Sequence, residues 1–389
     1  MSVSSTSPDK AGLVQKPLYL QTPLIRSSHI SSASKCDAYL KLESFKARGI
    51  SSFVQRSVAT HGASVHIIIA SGGNAGLAAA WAAHALMVRC TVFLPESASR
   101  ETIDFLHKHG AEVVIEGKIF LEALAKAEEV ARTEDNAVVV PAYDDLVLWQ
   151  GHASMITEIQ QQFQDIQGVE QVTKPDAIFC SVGGAGLLGG VLVGLKQVGW
   201  EDIPVVAVET HGSNCFEESL RLNRDETFEP SKSPNIDRVV LDEHHRVKVA
   251  HLKQLTSKAT SLGASSPSAG VVKLALQHPG GVASLTVSDE MAMWASERFA
   301  EDHKTLVELA CSATLTPAYS PDLLSRLLGV VSPSRGHDSV KLVFIVCGGF
   351  KVSLADLAEY QHVAAIETGE RKGTDWKVRC NAQPWDIPK

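Results

Sequence analysis

"AIFCSVGGAGLLGGV", residues 177–191, passes from a continuous apolar run through a group of glycines into a helical pattern. An apolar run that does not alternate with polar residues is typical of a strand buried on both faces. A glycine-rich turn at the start of a helix presents unobstructed backbone amides, together with the positive end of the helix dipole. The stretch therefore predicts a strand, an anion-binding loop and a helix in succession.

The same alternation continues along the chain. Further apolar, β-branched runs lie at 64–70, 91–95, 111–117, 137–143, 204–210 and 341–349. Helical patterns lie near 75–87, 99–109, 119–132, 149–166, 187–197, 289–302 and 321–329. This order predicts an α/β protein with doubly wound, mostly parallel sheets, which bind ligands at the carboxyl ends of their strands. Because 389 residues exceed what one core usually serves, we expect two domains.

Composition excludes several classes of protein. The net charge of -8 argues against a nucleic-acid partner. The longest apolar stretch, "AGLAAAWAAHALMV" (75–88), is too short for a membrane span. Seven scattered cysteines without a C-x-x-C pair indicate free thiols in a reducing compartment. The N-terminal residues show no signal-peptide pattern, so we expect a cytoplasmic protein.

The loop at 183–190 is open to more than one interpretation. Gly184 to Gly189 fit G-x-G-x-x-G, and the next strand ends in Glu209, as a dinucleotide-binding fingerprint requires. On these residues alone, a nicotinamide oxidoreductase built on 177–209, a phosphate site for another cofactor and a plain tight turn all remain open.

Three further features carry chemistry. "SGGNAG" (71–76) also follows a strand and opens a helix, and is either a second anion loop or a helix cap. Cys347 ends a buried strand, where its thiol either faces a ligand or fills space. In "LKLESFKARGI" (40–50), Lys46 is either a solvated lysine or a nucleophilic amine. Together, the amine, the two loops and the thiol predict one site at one sheet edge.

With these motifs the sequence resembles the pyridoxal-phosphate enzymes of the tryptophan-synthase-β-like fold. Within them it is most similar to the eukaryotic L-serine/L-threonine dehydratases, from about Lys16 to Ala358. The matching motifs are "SFKARG", "SGGNAG", "DDLVLWQGHASMITEI", "SVGGAGLLGGV", "ATSLGA" and "VCGG". The resemblance implies a large catalytic domain of residues 1–45 and 145–389, ending in a tail at 370–389, and a small domain of residues 46–144.

The resemblance also implies an activity. Pyridoxal 5'-phosphate would support β-elimination of L-serine to pyruvate and ammonia, and of L-threonine to 2-oxobutanoate, in amino-acid catabolism. A homodimer and a bound monovalent cation such as K+ are further implications.

The family pattern assigns roles by position. Lys46 is expected to bind the cofactor aldehyde and move the Cα proton, and Phe45 to line the cofactor ring. Cofactor contacts are further expected from Asn74 at the ring hydroxyl, Cys347 at the pyridine nitrogen, and Gly183, Gly184, Ala185 and Gly186 at the phosphate. Ser71, Gly72, Gly73 and Ala75 are expected around the substrate carboxylate. The expected cation ligands are Gly183, Glu209, Ser213, Cys215, Leu262 and Ala264.

The segment before Lys46 departs from the family. Between Glu43 and Ser44 roughly six residues are missing, which is about 20 Å of extended chain. Unless the end of the preceding strand frays to compensate, Lys46 is not expected to reach the position that the cofactor requires. A catalytically impaired or inactive relative is therefore the alternative to an active dehydratase.

Three smaller departures concern single residues. Ala185 replaces a family glycine and is tolerable only if its φ is negative. Ser312 stands where the family has glycine. Phe350 follows "CGG" where a small polar residue is usual, and a ring there can narrow the cofactor pocket.

Overall fold

The computed structural model describes residues 16–44, 46–167, 174–332, 340–370 and 374–389. Within these residues the larger sheet has eight strands in the order β1-β2-β12-β7-β8-β11-β13-β14. Its strands are β1 (Leu24–Arg26), β2 (Asp37–Leu42), β7 (Ala177–Ser181), β8 (Val205–Thr210), β11 (Val282–Val287), β12 (Lys341–Val346), β13 (Trp376–Cys380) and β14 (Gln383–Ile387). The five inner strands from β2 to β11 are all parallel, and three of them, β7, β8 and β12, coincide with predicted apolar runs.

A second sheet of four parallel strands has the order β5-β4-β3-β6 among the described residues. Its strands are β3 (His66–Ala70), β4 (Arg89–Leu94), β5 (Glu112–Ile115) and β6 (Ala137–Val139). All four fall inside the segment 46–144 assigned to the small domain, whose boundaries stay a prediction.

Helices cover both sheets. Those of the first half are α1 (Ser28–Ser34), α2 (Ala47–His61), α3 (Asn74–Ala85), α4 (Arg100–Lys108), α5 (Phe120–Thr133), α6 (Leu146–Gln167) and α7 (Gly186–Gln197). Those of the second half are α8 (Cys215–Arg224), α9 (Ala269–Gln277), α10 (Asp289–His303), α11 (Leu309–Ser312), α12 (Thr316–Tyr319), α13 (Pro321–Val331) and α14 (Leu354–Ala365). None of the helices in the described ranges combines the length and the apolar character needed to cross a bilayer.

The strand order determines which loops meet. Strands β2, β12 and β7 are adjacent and parallel, with Leu42 opposite Val346 and Phe344 opposite Phe179. The stacked rings of Phe179 and Phe344, with centroids 4.5 Å apart, pack this contact in the buried core. Because the carboxyl ends of parallel strands lie at one edge, the segments after Leu42, Val346 and Ser181 emerge side by side.

Two segments are more regular than the sequence suggests. Residues 376–387, which the sequence analysis treats as part of a tail, form the hairpin β13–β14, and β13 pairs antiparallel with β11. Buried Trp376, Val378 and Cys380 alternate with more exposed residues, which is why this edge strand lacks a continuous apolar run. The weakly patterned stretch 223–250 contributes to a second hairpin, β9 (Ile236–Asp242) with β10 (Val247–Leu252).

Candidate active site

One cavity lies at the carboxyl ends of β2, β12 and β7. Residues from six places in the sequence line it. The lining consists of Glu43, Ser44, Lys46, Ala142, Tyr143, His152, Ser181, Gly183, Gly184, Ala185, Gly186, Leu187, Ser261, Leu262 and Cys347. The amine, the first glycine loop and the thiol singled out in the sequence therefore share one cavity.

Lys46 reaches this cavity despite the shortened segment before it. Strand β2 does not fray, since the N–H of Glu43 still donates to the carbonyl of Val346 at 2.7 Å. Instead, Lys46 takes a left-handed conformation, with φ 62° and ψ -5°, and α2 begins at the next residue. Lys46 therefore lines the cavity although β2 stays paired, whereas its position relative to the cofactor stays a prediction. Phe45 lies outside the described residues.

Arg48 anchors the start of α2 in a buried polar network. Its guanidinium donates to Glu158 through Nη1 at 2.6 Å and Nη2 at 2.7 Å, and through Nε to Glu43 at 2.7 Å. Lys41 Nζ reaches the same Glu158 at 2.7 Å. Together these bonds connect the end of β2, the first turn of α2 and helix α6, and so hold Lys46 between them.

The surroundings of Lys46 favour its neutral form. Burial lowers the pKa of Lys46 to about 8, with Glu308 opposing the shift and Lys351 adding to it. His152 is buried against the same cavity, and burial together with the positive charges of Lys46 and Arg48 lowers its pKa to about 3. A lysine with a pKa near 8 has a substantial free-amine fraction close to neutral pH, as a nucleophile requires.

In the loop after β7, the backbone at Gly184 lies very close to the ring of Tyr143. A Cβ on Gly184 would lie 2.3 Å from the ring of Tyr143, so only glycine fits there. Helix α7 begins at Gly186 and directs its first amides toward this loop. Ala185, however, has φ 72°, so the condition of a negative φ is not met and the residue carries backbone strain.

Cys347 lines the cavity from the end of β12, and burial raises the pKa of its thiol well above the ordinary value. It is therefore a protonated thiol at neutral pH.

Phe350 does not narrow the cavity. Its ring turns toward Phe105 of α4, with centroids 5.8 Å apart. The hydroxyl of buried Ser312 donates to the carbonyl of Ala292 at 2.8 Å, which satisfies the group that replaces glycine.

The second glycine loop lies outside the cavity lining. It follows β3 of the small sheet, so the expectation of a single sheet edge is wrong: the site lies between two sheets. Asn74 connects the two, since its Nδ2 donates to Ser261 of the cavity wall at 3.2 Å and to Glu308 at 3.0 Å. Ser71, Gly72, Gly73 and Ala75 lie around this asparagine without entering the lining.

Comparison with known proteins identifies the family of the chain. The family model described as "Pyridoxal-phosphate dependent enzyme" matches residues 16–333. The chain belongs to this family. Pyridoxal phosphate is therefore its cofactor, and the cavity fits that group: a nucleophilic amine, helix-terminal amides for a phosphate and a protonated thiol share one wall.

Two relatives of this pyridoxal-phosphate enzyme extend over most of it. A human L-serine dehydratase/L-threonine deaminase is 36% identical over 352 residues, covering 88% of this chain and 94% of the relative. A rat serine dehydratase-like protein is 37% identical over 350 residues, with the same coverage.

A solved structure agrees with this fold. The fungal L-serine ammonia-lyase from Rhizomucor miehei matches with a TM-score of 0.73 and 30% identity, covering 89% of this chain and 99% of that one. The two doubly wound, mostly parallel units of the tryptophan-synthase-β-like fold are thereby confirmed.

The dinucleotide interpretation of 177–209 is wrong for this pyridoxal-phosphate enzyme. Glu209 is fully buried, and its two oxygens accept from the backbone N–H groups of Phe216 at 2.9 Å and Glu217 at 2.7 Å. This carboxylate is buried and does not line the cavity, so it does not face a ribose hydroxyl.

The residues expected around a cation lie near the back of the glycine loop. Cys215 Sγ donates to the carbonyl of Gly183 at 3.6 Å, and a Cβ on Gly183 would lie 2.8 Å from the carbonyl of Leu262. Ala264 packs in the same apolar cluster as Cys215. The Oγ of Ser213 is buried and has no hydrogen-bond partner among the described residues. Within that part of the chain, no group of three or more His, Cys, Asp or Glu side chains could hold a metal ion.

Several site residues went unassigned in the sequence. Tyr143, His152 and Ser261 line the cavity, and Glu308 ties Asn74 to the segment after Cys347. A signal existed for Tyr143, because it is the last residue of the run at 137–143. His152 lies within "DDLVLWQGHASMITEI", which was matched only as a whole.

Proposed function

We propose that the protein is an L-serine dehydratase that also accepts L-threonine. L-serine would yield pyruvate and ammonia, and L-threonine 2-oxobutanoate and ammonia. The names of its relatives support this proposal. The single observation that carries it is the position of Lys46, an amine of lowered pKa in the cavity formed by the glycine loop and the Cys347 thiol.

Bound pyridoxal phosphate supplies an electron sink, which makes the Cα–H bond of an attached amino acid acidic. Lys46 Nζ would hold the cofactor before substrate arrives and would afterwards take the proton from Cα. Its depressed pKa suits both tasks, since a neutral amine is needed for each. The neutral imidazole of His152 adds no competing charge to this part of the cavity.

Positions around the cofactor follow from the lining. The amides at Gly183, Gly184, Ala185 and Gly186 would hold the phosphate at the N-terminus of α7. Cys347, a protonated thiol, would face the pyridine nitrogen. It carries no negative charge that would stabilise a pyridinium. Asn74, which donates to Ser261 of the cavity wall, would bond the ring hydroxyl.

We assign the substrate carboxylate to the loop of Ser71, Gly72, Gly73 and Ala75. This loop opens α3, a helix of 12 residues. The first N–H groups of a helix have no partner within it and can donate to an anion. The reaction is redox neutral. The β-hydroxyl leaves with a proton as water, and the released enamine tautomerises and takes up water to give the keto acid and ammonia.

A monovalent cation such as K+ is proposed behind the glycine loop. Its ligands would be Glu209, Ser213 and Cys215, with the carbonyls of Gly183, Leu262 and Ala264. Burial and the negative charges of Glu217 and Glu218 raise the pKa of Glu209 well above its ordinary value. A cation at this position would offset that unfavourable negative environment.

The proposal also includes an assembly and a compartment. We propose a cytoplasmic homodimer, by analogy with the dehydratases that the sequence resembles. The seven cysteines are all buried and free, which is compatible with a reducing compartment. Light scattering on the purified protein would measure the mass of the assembly.

The experiment that tests the activity is a keto-acid assay. The cofactor-loaded wild type should release pyruvate and ammonia in equal amounts from L-serine, whereas Lys46→Ala should release neither. A wild type that holds the cofactor but forms no keto acid from L-serine or L-threonine would favour the alternative of an impaired relative.

A further inference from the structure

Lys351 lies beside the loop to which the substrate carboxylate is assigned. A Cβ placed on Gly73 would lie 3.6 Å from Lys351 Nζ and 3.8 Å from Ser71 Oγ. The ammonium and the hydroxyl therefore flank the same point of the loop. No role was assigned to Lys351 in the sequence, because it lies beyond the "VCGG" motif.

The backbone at Lys351 is fixed by a buried carboxylate. The N–H of Lys351 donates to Glu308 Oε1 at 2.8 Å, and the same oxygen accepts from Asn74 Nδ2 at 3.0 Å. Gly349 has φ 105°, and a Cβ there would lie 2.2 Å from the carboxyl carbon of Glu308. The segment after Cys347 thus wraps around Glu308 and brings residue 351 to the Asn74 loop.

Phe350 holds the same segment from the other side. Its ring contacts that of Phe105 on α4, an element that follows the small sheet's strand β4. Lys351 is therefore anchored through its own backbone to Glu308 and through its neighbour to α4. Its side chain remains exposed, so the ammonium is free to move toward a ligand.

Positive charge from Lys351 meets the N-terminus of α3 at this position. The first turn of α3 contributes the positive end of a helix dipole, and Lys46 lies close enough for Lys351 to lower its pKa. Among the described residues, no carboxylate forms an ion pair with Lys351. Glu308 Oε1 already accepts two N–H groups. The Lys351 ammonium and the N-terminus of α3, which meet at one loop, favour an anion between them.

We propose that Lys351 is a substrate anchor whose ammonium pairs with the α-carboxylate of the amino acid held by the loop of Ser71 to Ala75. The inference rests on the proposed function, because that function assigns the carboxylate to this loop. It adds a charged contact to the backbone amides, and so makes the site select for amino acids with a free carboxylate.

The test is a calorimetric titration of the cofactor-loaded protein with L-alanine and with L-alaninamide. Neither has a β-hydroxyl to eliminate, and the amide lacks the carboxylate charge. Lys351→Met should weaken L-alanine binding roughly three- to tenfold, the range of a partly exposed charge-assisted contact, and leave L-alaninamide binding unchanged. Lys351→Arg should retain most of the affinity. Lys126→Met on α5 removes the same charge elsewhere and should bind as the wild type does.

Steady-state kinetics with L-serine give a second measure. Lys351→Met should raise KM by a similar factor and leave kcat nearly unchanged, since an anchor acts on binding. An equal loss for alanine and alaninamide would show a structural role, and no loss for either would show an ordinary surface lysine. Failure of the wild type to bind L-alanine would also overturn the proposal.

The two proposals can fail separately. A wild type that binds L-alanine through Lys351 but forms no keto acid from L-serine keeps the anchor and loses the dehydratase activity. A wild type that forms keto acid while Lys351→Met binds and turns over normally keeps the activity and loses the anchor.

Discussion

Arg48 and Glu158 pair through two hydrogen bonds, 2.6 and 2.7 Å long, at the first turn of α2, the helix that follows Lys46. This bidentate pair is buried at Arg48, whose guanidinium also reaches Glu43 at the end of β2. The segment 43–48 is thus closed by a bond between its two ends, Glu43 and Arg48. This bond holds the left-handed turn at Lys46 in place. The pair thus explains how a shortened segment still delivers the amine.

Replacing Arg48 should therefore be costly. Arg48→Met leaves Glu43 and Glu158 without their main partner, and the loss of one member of a buried ion pair typically costs about 3–5 kcal/mol. Urea unfolding would measure the change. Arg89→Met, which breaks exposed pairs with Glu112 and Glu134, is the matched control and should cost less than about 1 kcal/mol. Similar losses in the two variants would contradict the anchoring role.

The lowered pKa of Lys46 predicts a pH dependence of stability in the cofactor-free protein. Its pKa is about 8 when folded, against an ordinary 10.5. Between these values the unfolded chain binds a proton that the folded protein has lost, so the free energy of unfolding contributed by Lys46 rises with pH. The charges facing it are Glu308 and Lys351, and the neutral His152 lines the same cavity.

The measurement compares wild type and Lys46→Met by denaturant unfolding from neutral pH to about pH 10, the ordinary range of lysine titration. The wild type should gain stability relative to the variant as the pH rises. Parallel curves would mean that Lys46 keeps an ordinary pKa. Lys126→Met, at a surface lysine ion-paired with Glu129, is the matched control.

Ala185 should be a site of easy stabilisation. At φ 72° an alanine costs roughly 1–2 kcal/mol that glycine avoids, and the extra freedom of glycine in the unfolded chain returns about 0.5–1 kcal/mol of that. Ala185→Gly should thus raise the free energy of unfolding by about 0.5–1 kcal/mol, measured by thermal unfolding. Ala79→Gly, in the middle of α3, should instead destabilise the protein. Destabilisation by Ala185→Gly would contradict the strain.

The cation site predicts a specific ion effect. K+ should raise the melting temperature above that in tetramethylammonium at equal ionic strength, because it binds only the folded site. Ser213→Ala removes a buried hydroxyl that has no partner among the described residues, and should reduce the gain from K+. Thr314→Val removes another such hydroxyl and serves as the control. Equal stabilisation by both salts would rule out the site.

Local pattern predicts the inner part of the fold well. The strands β3, β4, β7, β8 and β12 appear as apolar runs because parallel strands are buried on both faces. The edge hairpin β13–β14 does not, because its exposed positions carry polar and charged residues. Which sheet carries "SGGNAG" depends on strand order, and no local pattern encodes strand order.

The site divides in the same way. Lys46, Gly183 to Gly186 and Cys347 lie at strand ends, so their shared cavity follows from the fold class. The pair of Arg48 and Glu158 joins positions 110 residues apart, and Glu308 lies 234 residues from Asn74. Such contacts depend on tertiary packing. The positive φ values of Lys46 and Ala185 are likewise imposed by the surrounding structure and not by residue type.

The most direct test of the central claim is the visible absorption spectrum of the purified protein with added pyridoxal phosphate, followed by borohydride reduction and peptide mapping, on wild type and Lys46→Ala. The account predicts a cofactor band in the wild type that Lys46→Ala lacks, and a reduced cofactor attached to Lys46. No band in either protein, or attachment at another lysine, would contradict the placement of Lys46 as the cofactor-binding amine.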